Sequence, residues 1–438
     1  MSKLSLYTHL FEDSGKHYLY NCETGLFAEI GRELYAKLVD RDFAAIDRDT
    51  MRQLRKQKVV VRDDELYTTY DEAKMRFHAQ AYDPETLGLV LVPFSGCNFA
   101  CPYCFEKNKE PHLMSDTTIE HLVKFVNSHK RAKRLSLTWY GGEPLAAFPT
   151  IRKIHRRLTE GTQLPIVGHS IVTNGYLLDD AMLDFFAETR LDSLQITLDG
   201  TEERHNRTRF LKATGEGTFQ VILRHIDDAV RRLPDCRISI RVNINKDNEA
   251  DFILLYRELG ERYAGKKVHI YPGLIREDTT DACSLCYRSF KGEEVFPLYR
   301  RLDEAGAHVE FFPHTAKKGC MVHWLNAYIV GPRGEIYKCW NDVGNARKVV
   351  GYIHRRQLSN RTLLARYMND VSAFADPACR SCSVFPICDG GCANYRYRNR
   401  FEGKHYEICT GFRHEDLLRQ TLIRSQKPQE STLPALFV

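Results

Sequence analysis

The sequence predicts an α/β protein centred on a partial (β/α)6 TIM-like barrel, with a small winged-helix-like module before it and a cysteine-rich domain after it. Four observations support this prediction. Strand and helix patterns alternate regularly between residues 86 and 275. Shorter patterns of both kinds occupy residues 1–80. Most of the 14 cysteines follow residue 276. The 438 residues also exceed what one hydrophobic core usually supports.

Residues 1–80 contain short alternating apolar runs next to helical patterns. The alternating runs are His17–Cys22, Lys58–Arg62 and Glu65–Tyr70, and the helical patterns lie near 26–39 and 49–57. Such a mixture in so short a segment favours a winged-helix-like module.

Residues 86–275 predict six parallel βα units. The predicted strands are Gly88–Phe94, Arg134–Tyr140, Ile166–Thr173, Ser193–Leu198, Arg237–Asn243 and Val268–Tyr271. The predicted helices lie near 117–129, 150–158, 180–188, 219–233 and 249–263. In such a barrel the chemistry belongs at the C-terminal ends of the strands.

The βα rhythm ends after residue 275. Residues 276–425 contain most of the other cysteines and predict a separate domain, whereas 426–438 form a polar and then apolar tail that we expect to be loosely ordered.

Composition excludes several classes of function. The formal charge of +6, from 63 basic and 57 acidic residues, is too small an excess to indicate nucleic-acid binding. No run approaches the roughly 18 apolar residues of a membrane helix, and Met1–Thr8 lacks the apolar stretch of a secretion signal. We therefore expect a cytoplasmic protein, in which 14 cysteines indicate metal binding more than disulfides.

Cys97, Cys101 and Cys104 form a C-x3-C-x2-C run directly after the first predicted barrel strand. A four-iron cluster normally takes four cysteine thiolates, so three would leave one iron open for the amino and carboxylate groups of another molecule. A structural zinc knuckle is the alternative, but zinc sites usually pair two CxxC or CxxH units. The run favours an iron-sulfur cluster with an exchangeable position.

Two further motifs extend this interpretation. Gly141-Gly142-Glu143-Pro144 follows the second predicted strand, about 40 residues after the cysteine run, and a larger cysteine cluster lies near the C-terminus. Together the three motifs resemble those of the radical S-adenosylmethionine (radical SAM) enzymes.

That resemblance implies a set of residues that contact S-adenosylmethionine. Gly141, Gly142 and Glu143 would contact its amino group, through the glutamate or neighbouring carbonyls, and Tyr103 would pack near its adenine. Polar residues at later strand ends would hold its ribose or carboxylate; they are Asn174, Thr197, Arg209 and Asn243.

The C-terminal cysteines resemble the SPASM extension of radical SAM enzymes, an iron-sulfur domain that binds two auxiliary four-iron clusters. The resemblance implies that Cys320, Cys339 and Cys392 bind the nearer auxiliary cluster. The farther one would be bound by Cys379, Cys382, Cys388 and Cys409. A zinc ribbon would use only four of these seven cysteines.

The nearer auxiliary cluster then lacks a fourth ligand. Cys283 and Cys286 form a CxxC upstream, His314 lies six residues before Cys320, and a substrate thiol would also serve. We favour Cys283 or Cys286 and leave the choice open.

Trp340 follows Cys339 directly. In the sulfatase-maturating branch of this group, an aspartate after the corresponding cysteine is thought to be the base that deprotonates the substrate. Asp342, two residues on, would be the nearest substitute. The departure favours a maturase of ribosomally made peptides, and the catalytic base stays unassigned.

The predicted function is a radical SAM/SPASM peptide maturase. It would cleave S-adenosylmethionine reductively, abstract a hydrogen from a precursor peptide and install a thioether, carbon–carbon or ether cross-link. The resemblance implies three 4Fe-4S clusters, a precursor peptide whose leader binds residues 1–80, and an electron donor such as flavodoxin or ferredoxin. The alternatives are an anaerobic sulfatase-maturating, formylglycine-forming enzyme and a zinc-stabilised module that binds but does not catalyse.

Overall fold

The structure is a computed structural model that describes residues 1–104, 110–275, 290, 292–307, 313, 315–316, 318–355 and 358–425. Its strands, numbered in chain order, are β1 Ser2–Leu4, β2 Thr8–Asp13, β3 Lys16–Asn21, β4 Phe27–Ile30, β5 Val60–Arg62, β6 Thr86–Leu91, β7 Arg134–Trp139, β8 Ile166–Thr173, β9 Ser193–Leu198, β10 Arg237–Ile244, β11 Val268–Leu274, β12 Ala327–Val330, β13 Glu335–Tyr337 and β14 Gly351–Tyr352.

The α-helices are α1 Arg32–Val39, α2 Arg48–Lys56, α3 Thr68–Ala81, α4 Asp116–Ser128, α5 Phe148–Gly161, α6 Asp180–Glu188, α7 Glu202–Thr208, α8 Phe219–Arg232, α9 Glu249–Arg262, α10 Gly292–Glu304, α11 Arg361–Ala365, α12 Pro377–Arg380, α13 Ala393–Phe401 and α14 Glu415–Ser425. Within the described ranges, none of the helices is both long enough and apolar enough to span a lipid bilayer.

The chain divides into two compact units. One comprises Met1–Tyr82, Glu310–Trp324 and Arg366–Val438, and the other comprises Asp83–Val309 and Leu325–Ala365. We call them the terminal unit and the barrel unit. The functional division at residues 80, 275 and 425 stays a prediction.

The barrel unit is built on one sheet with the strand order β11-β10-β9-β8-β7-β6-β12-β13-β14. Strands β6 to β11 are all parallel to their neighbours. The predicted (β/α)6 architecture is confirmed, with strand bounds within about three residues of those expected. The sequence did not indicate that β12 would pair in parallel with β6 and that β13 and β14 would extend the same sheet.

Alternating side chains explain why the barrel strands form. In β10, Ile238, Ile240, Val242 and Ile244 are almost fully buried, and helices α5, α8 and α9 bury apolar stripes. These four residues alternate along the strand and share one face, and burial of that face is what covering helices produce. This packing fixes the strand ends from which the predicted site residues project.

The terminal unit contains the antiparallel sheet β2-β3-β4 and the pair β1-β5. One face of the three-stranded sheet packs Leu19, Ala28 and Ile30 against Leu38 of α1 and Leu54 of α2. The other face joins a core with C-terminal residues; this core includes Tyr18, Tyr20, Phe27, Phe385, Phe412, Leu418 and Leu422. The first 80 residues therefore share a hydrophobic core with the C-terminal segment.

His169 of β8 is buried beneath α5 and α6 in the barrel unit. Its Nε2 accepts a hydrogen bond from Trp139 Nε1 at 2.7 Å, so its proton is on Nδ1, which donates to the Thr189 carbonyl at 3.3 Å. Burial, and then the neighbouring His155, lowers the pKa of His169 to about 4. The ring is therefore neutral in the folded protein at ordinary pH.

We expect His169 to make stability depend on pH. The unfolded chain takes up a proton near pH 6.5 and the folded chain only near 4, so stability is complete above pH 6.5 and declines as the pH falls towards 4. The free energy of unfolding should drop by about 1.4 kcal/mol between pH 7.5 and 5.5. Chemical denaturation at several pH values measures this.

His169→Gln is the matched variant, because an amide can accept from Trp139 and donate to Thr189 without titrating. It should be less stable at pH 7.5 but show a flatter pH dependence. Parallel pH curves for the two proteins would show that another group is responsible.

Candidate active site

Two glycines at the end of β7 let two loops of the barrel unit touch. A Cβ on Gly142 would lie 2.3 Å from the Gly96 carbonyl oxygen, and one on Gly141 would lie 2.4 Å from that of Phe94. Gly141 also has φ of 141°. These contacts bring the Gly-Gly loop against the residues that precede Cys97, so the glycines serve chain packing as well as any ligand.

Glu143 is fully buried and ties three segments together. Its amide donates to the Gly96 carbonyl at 2.9 Å. Its carboxylate accepts from Thr173 Oγ1 at 2.7 Å, from the Asn174 amide at 2.7 Å and from the Leu145 amide at 2.9 Å. These bonds turn the carboxylate towards donors of the protein itself, and a contact of this loop with a ligand's ammonium stays a prediction.

The structure brings Cys97, Cys101 and Cys104 together in one loop. Cys97 Sγ accepts from the Phe99 amide at 3.4 Å, and the Asn174 side-chain amide lies 3.9 Å away. Burial raises the pKa of Cys97 to about 12 and that of Cys101 to about 11. Three thiols in one loop supply the soft sulfur ligands that an iron-sulfur cluster requires, and binding of the metal would deprotonate them.

A buried polar network surrounds Tyr103. Its hydroxyl donates to Asp199, whose two carboxylate oxygens lie 2.6 and 2.9 Å away. Arg209 Nη1 donates to the same hydroxyl at 2.9 Å, and Asn243 Nδ2 at 3.1 Å. Thr208 Oγ1 donates to Asp199 at 2.8 Å. Three predicted contact residues, Tyr103, Arg209 and Asn243, thus meet around a carboxylate that the sequence analysis did not select.

Two donors near this network have no hydrogen-bond partner among the described residues. They are Arg209 Nε and Asn98 Nδ2, both buried. Buried donors are normally satisfied, and an anionic group such as a carboxylate would satisfy them. The guanidinium also lies 5.5 Å from the centre of the Phe99 ring.

Asn174 and Thr197 lie at the ends of β8 and β9. The Asn174 side chain donates to Asn98 Oδ1 at 2.8 Å, which links it to the cysteine loop. Thr197 is buried and pairs in register with Arg241. Both residues therefore lie at the expected strand ends.

Trp340 packs edge-on against Tyr140, with ring centroids 4.4 Å apart. Tyr140 immediately precedes Gly141, so this aromatic pair lies at the end of β7. Asp342 is only 3% exposed and lies within electrostatic range of the Tyr337 hydroxyl of β13. Asp342 is therefore poorly placed to replace the base that the sequence analysis considered.

The four cysteines assigned to the farther auxiliary cluster all belong to the terminal unit. Several of their sulfurs accept hydrogen bonds: Cys379 from Arg396 Nη2 at 3.5 Å, Cys388 from the Gly390 amide at 3.3 Å and Cys409 from Arg413 Nη1 at 3.4 Å. Such donors suit an anionic iron-sulfur cluster.

The nearer set is divided between the units. Cys320 and Cys392 belong to the terminal unit and Cys339 to the barrel unit. Cys283, Cys286 and His314 lie outside the described residues. The composition of this ligand set stays a prediction.

In the part of the chain that the structure describes, no three His, Cys, Asp or Glu side chains converge as ligands of a single metal ion would. A cubane cluster has a different requirement, because each thiolate binds a different iron.

Comparison with known proteins defines the class of this one. Residues 91–259, which contain the cysteine run and most of the parallel strands, match the radical SAM superfamily. The resemblance drawn from the motifs is confirmed: the chain contains a radical SAM domain and is a radical SAM enzyme related to maturases. S-adenosylmethionine and a 4Fe-4S cluster are the cofactors of such a domain.

Particular relatives are maturases and a synthase. The chain is 26% identical over 363 residues to a serine-type anaerobic sulfatase-maturating enzyme of Klebsiella aerogenes, covering 75% of this chain and 86% of that protein. It is 21% identical to the radical SAM cyclopropyl synthase TigE of Paramaledivibacter caminithermalis, covering 57% and 65%. The solved structure of native anSMEcpe with bound AdoMet and Cp18Cys peptide has a TM-score of 0.56 at 20% identity, covering 78% and 98%.

Sequence reasoning missed Asp199 and Asn98 as members of the site. Asp199 directly follows β9, so its strand-end position was an available signal. Asn98 lies inside the cysteine run, where a single asparagine carries no signal of its own. Neither residue reveals its partners without the fold.

We expect Gly142→Ala to disturb the cysteine loop, because the new Cβ would collide with the Gly96 backbone. The expected loss of stability is about 2 kcal/mol, and reconstituted protein should bind about four fewer irons per chain. Thermal unfolding and iron analysis measure both effects.

Gly260→Ala is the control, since Gly260 lies within α9 with nothing within 4 Å of an added Cβ. This change should preserve iron binding and slightly raise stability. Equal iron content and melting temperature in the two variants would show that close contact with Gly96 does not require a glycine at position 142.

Proposed function

We propose that this protein is a radical SAM peptide maturase that installs an intrapeptide cross-link. A four-iron cluster with an open iron supplies, when S-adenosylmethionine binds, reductive cleavage to a 5′-deoxyadenosyl radical that abstracts hydrogen from carbon. Cys97, Cys101 and Cys104 would hold that cluster. The chain's other residues position the cofactor and exclude water.

The barrel mouth offers a role for each predicted contact residue. Arg209 and Asn98 would bind the cofactor carboxylate with their unpartnered donors. Carbonyls around Gly141 and Gly142 would accept from its ammonium, Tyr103 would adjoin its adenine, and polar groups of Asn174, Thr197 and Asn243 would face its ribose. Asp199 would hold Tyr103 and Arg209 in place.

The observation that favours cross-linking is the environment of Trp340. An aromatic side chain in contact with Tyr140 occupies the position after Cys339, and the nearby Asp342 is buried. Neither position therefore offers an accessible carboxylate to deprotonate a cysteine or serine substrate. The cyclopropyl synthase relative is a radical SAM enzyme whose name denotes ring formation.

The auxiliary clusters would complete the electron balance. Abstraction of one hydrogen yields 5′-deoxyadenosine and a substrate radical; bond formation then releases a proton and one electron. A cluster bound by Cys379, Cys382, Cys388 and Cys409, or the nearer one, would accept that electron. An external donor such as flavodoxin or ferredoxin would reduce the first cluster.

The N-terminal sheet would capture the leader segment of the precursor peptide. Strand β2 is an edge strand, and a cavity of about 240 Å³ beside it is lined by residues that include Thr8, His9, Leu10, Ser383 and Glu415. An extended peptide can add to such an edge as another strand.

Sulfatase maturation is the second candidate, because sulfatase-maturating enzymes are among the relatives over most of the chain. It would oxidise a serine or cysteine to formylglycine without joining two residues.

Changing Cys97, Cys101 and Cys104 together to alanine should abolish formation of 5′-deoxyadenosine in anaerobic protein with dithionite. Iron should fall from about twelve to about eight atoms per chain, because the auxiliary clusters remain. Chromatography of the nucleoside and iron analysis measure the outcome.

Cys236→Ala is the control, because Cys236 is a buried cysteine of the same unit outside every predicted ligand set. It should retain both iron and cleavage. Continued cleavage by the triple variant would refute the assignment of the three cysteines.

Mass spectrometry of a precursor peptide encoded beside this protein should show loss of two hydrogens per modification, with no reaction towards an aldehyde-specific hydrazide. Serine oxidation to formylglycine gives the same mass change but a hydrazide-reactive product. Offering a sulfatase-derived peptide in parallel separates the candidates, since hydrazide labelling of that peptide alone would favour sulfatase maturation.

A further inference from the structure

Tyr7 is a buried tyrosine whose hydroxyl lacks a partner. The residue is 1% exposed, and its oxygen makes no hydrogen bond with the described part of the chain. An unsatisfied buried hydroxyl is costly. Tyr7 lies in the core that joins the N-terminal sheet to the C-terminal segment, so the surroundings of this hydroxyl are fixed by packing.

The neighbours of Tyr7 include cysteines of the farther set. Cys379 and Cys382 pack against the same core. Cys382 lies within electrostatic range of the Tyr7 hydroxyl and of the Cys22 thiol. The Cys22 amide in turn donates to the Tyr7 carbonyl at 2.9 Å. Glu23 and Asp71 lie within electrostatic range but form no hydrogen bond to the hydroxyl.

The other sides of this cysteine set are supplied with donors from C-terminal segments. Arg396 and Arg413 donate to Cys379 and Cys409. The Lys318 ammonium lies within electrostatic range of Cys388 and Cys379. On the side of Cys382, the charge of Arg413 lies within electrostatic range, and the Tyr7 hydroxyl, in the turn before β2, is a buried donor without a partner among the described residues.

We infer that the Tyr7 hydroxyl donates a hydrogen bond to sulfur on the Cys382 side of the farther auxiliary cluster. This inference rests on the proposed function, which supplies the cluster. A hydrogen bond to cluster sulfur stabilises the more negative, reduced state and raises the reduction potential. The N-terminal module would then adjust the electron acceptor of the reaction as well as bind peptide.

Tyr7→Phe tests this inference in otherwise intact, reconstituted protein. The midpoint potential of the farther cluster, followed by electron paramagnetic resonance, should shift to a more negative value. An exchangeable proton coupled to that cluster, observed by proton ENDOR before and after transfer to deuterium oxide, should be lost. The cluster's signal is assigned by its disappearance in Cys382→Ala.

Tyr20→Phe is the matched control. Tyr20 belongs to the same core, but its hydroxyl already donates to the Pro313 carbonyl at 3.3 Å. Its removal should leave both the potential and the coupled proton unchanged. Equal shifts in the two variants would attribute the effect to loss of packing and overturn the inference.

Site-specific 3-fluorotyrosine at position 7 gives a test that preserves the ring and its hydroxyl. Its more acidic hydroxyl donates more strongly, so the potential should shift in the opposite direction, to a less negative value. No shift would overturn the inference even if Tyr7→Phe failed to assemble the cluster.

Iron analysis separates this inference from the proposed function. Wild-type protein that binds no farther cluster, with no signal sensitive to Cys382→Ala, would refute the three-cluster proposal and this inference with it. A cluster that forms normally, but whose potential and coupled proton do not change with the substitutions at position 7, refutes only the inference.

Discussion

The arrangement of the barrel mouth depends on one buried carboxylate, that of Glu143. Its side chain accepts hydrogen bonds from the end of β8 and so links that strand to the loop after β7. Its amide donates to the Gly96 carbonyl and links the same loop to the residues before Cys97. Asn174, held by Glu143, in turn reaches Asn98 within the cysteine loop. A carboxylate without such partners would be strongly disfavoured in this interior. The sequence presents Glu143 as a ligand contact, which stays a prediction, and the structure shows that its side chain also holds the neighbouring loops in place.

The central fold was predictable because its signals are local. Alternating and helical patterns in each βα unit identify the six parallel strands, and the strand ends indicate where Asn174, Thr197, Arg209 and Asn243 should lie. Other features depend on pairings distant in sequence. Short, wholly apolar β12 gives no indication that it pairs with β6, and nothing local to Asp199 shows that it binds Tyr103. The core that joins Tyr20 to Leu422 likewise arises only from tertiary packing.

Two of the three cysteine sets lie near guanidinium groups, and four-iron clusters with thiolate ligands are anionic. Arg209 lies within electrostatic range of Cys101, while Arg396 and Arg413 donate to sulfurs of the farther set. Arginine keeps its charge whatever the redox state. The position after Cys339 has a different character. Trp340 and Tyr140 present apolar surface there, whereas an aspartate at that position could accept a proton.

The shared core of the terminal unit has a consequence for biosynthesis. Tyr18, Tyr20 and Phe27 are translated before the barrel unit, yet their partners Phe412, Leu418 and Leu422 emerge from the ribosome after it. Contacts so distant along the chain are slow to form, and a domain completes folding only when all its segments are available. The N-terminal sheet must therefore keep one apolar face uncovered, or covered by a chaperone, until residues 412–422 have been translated.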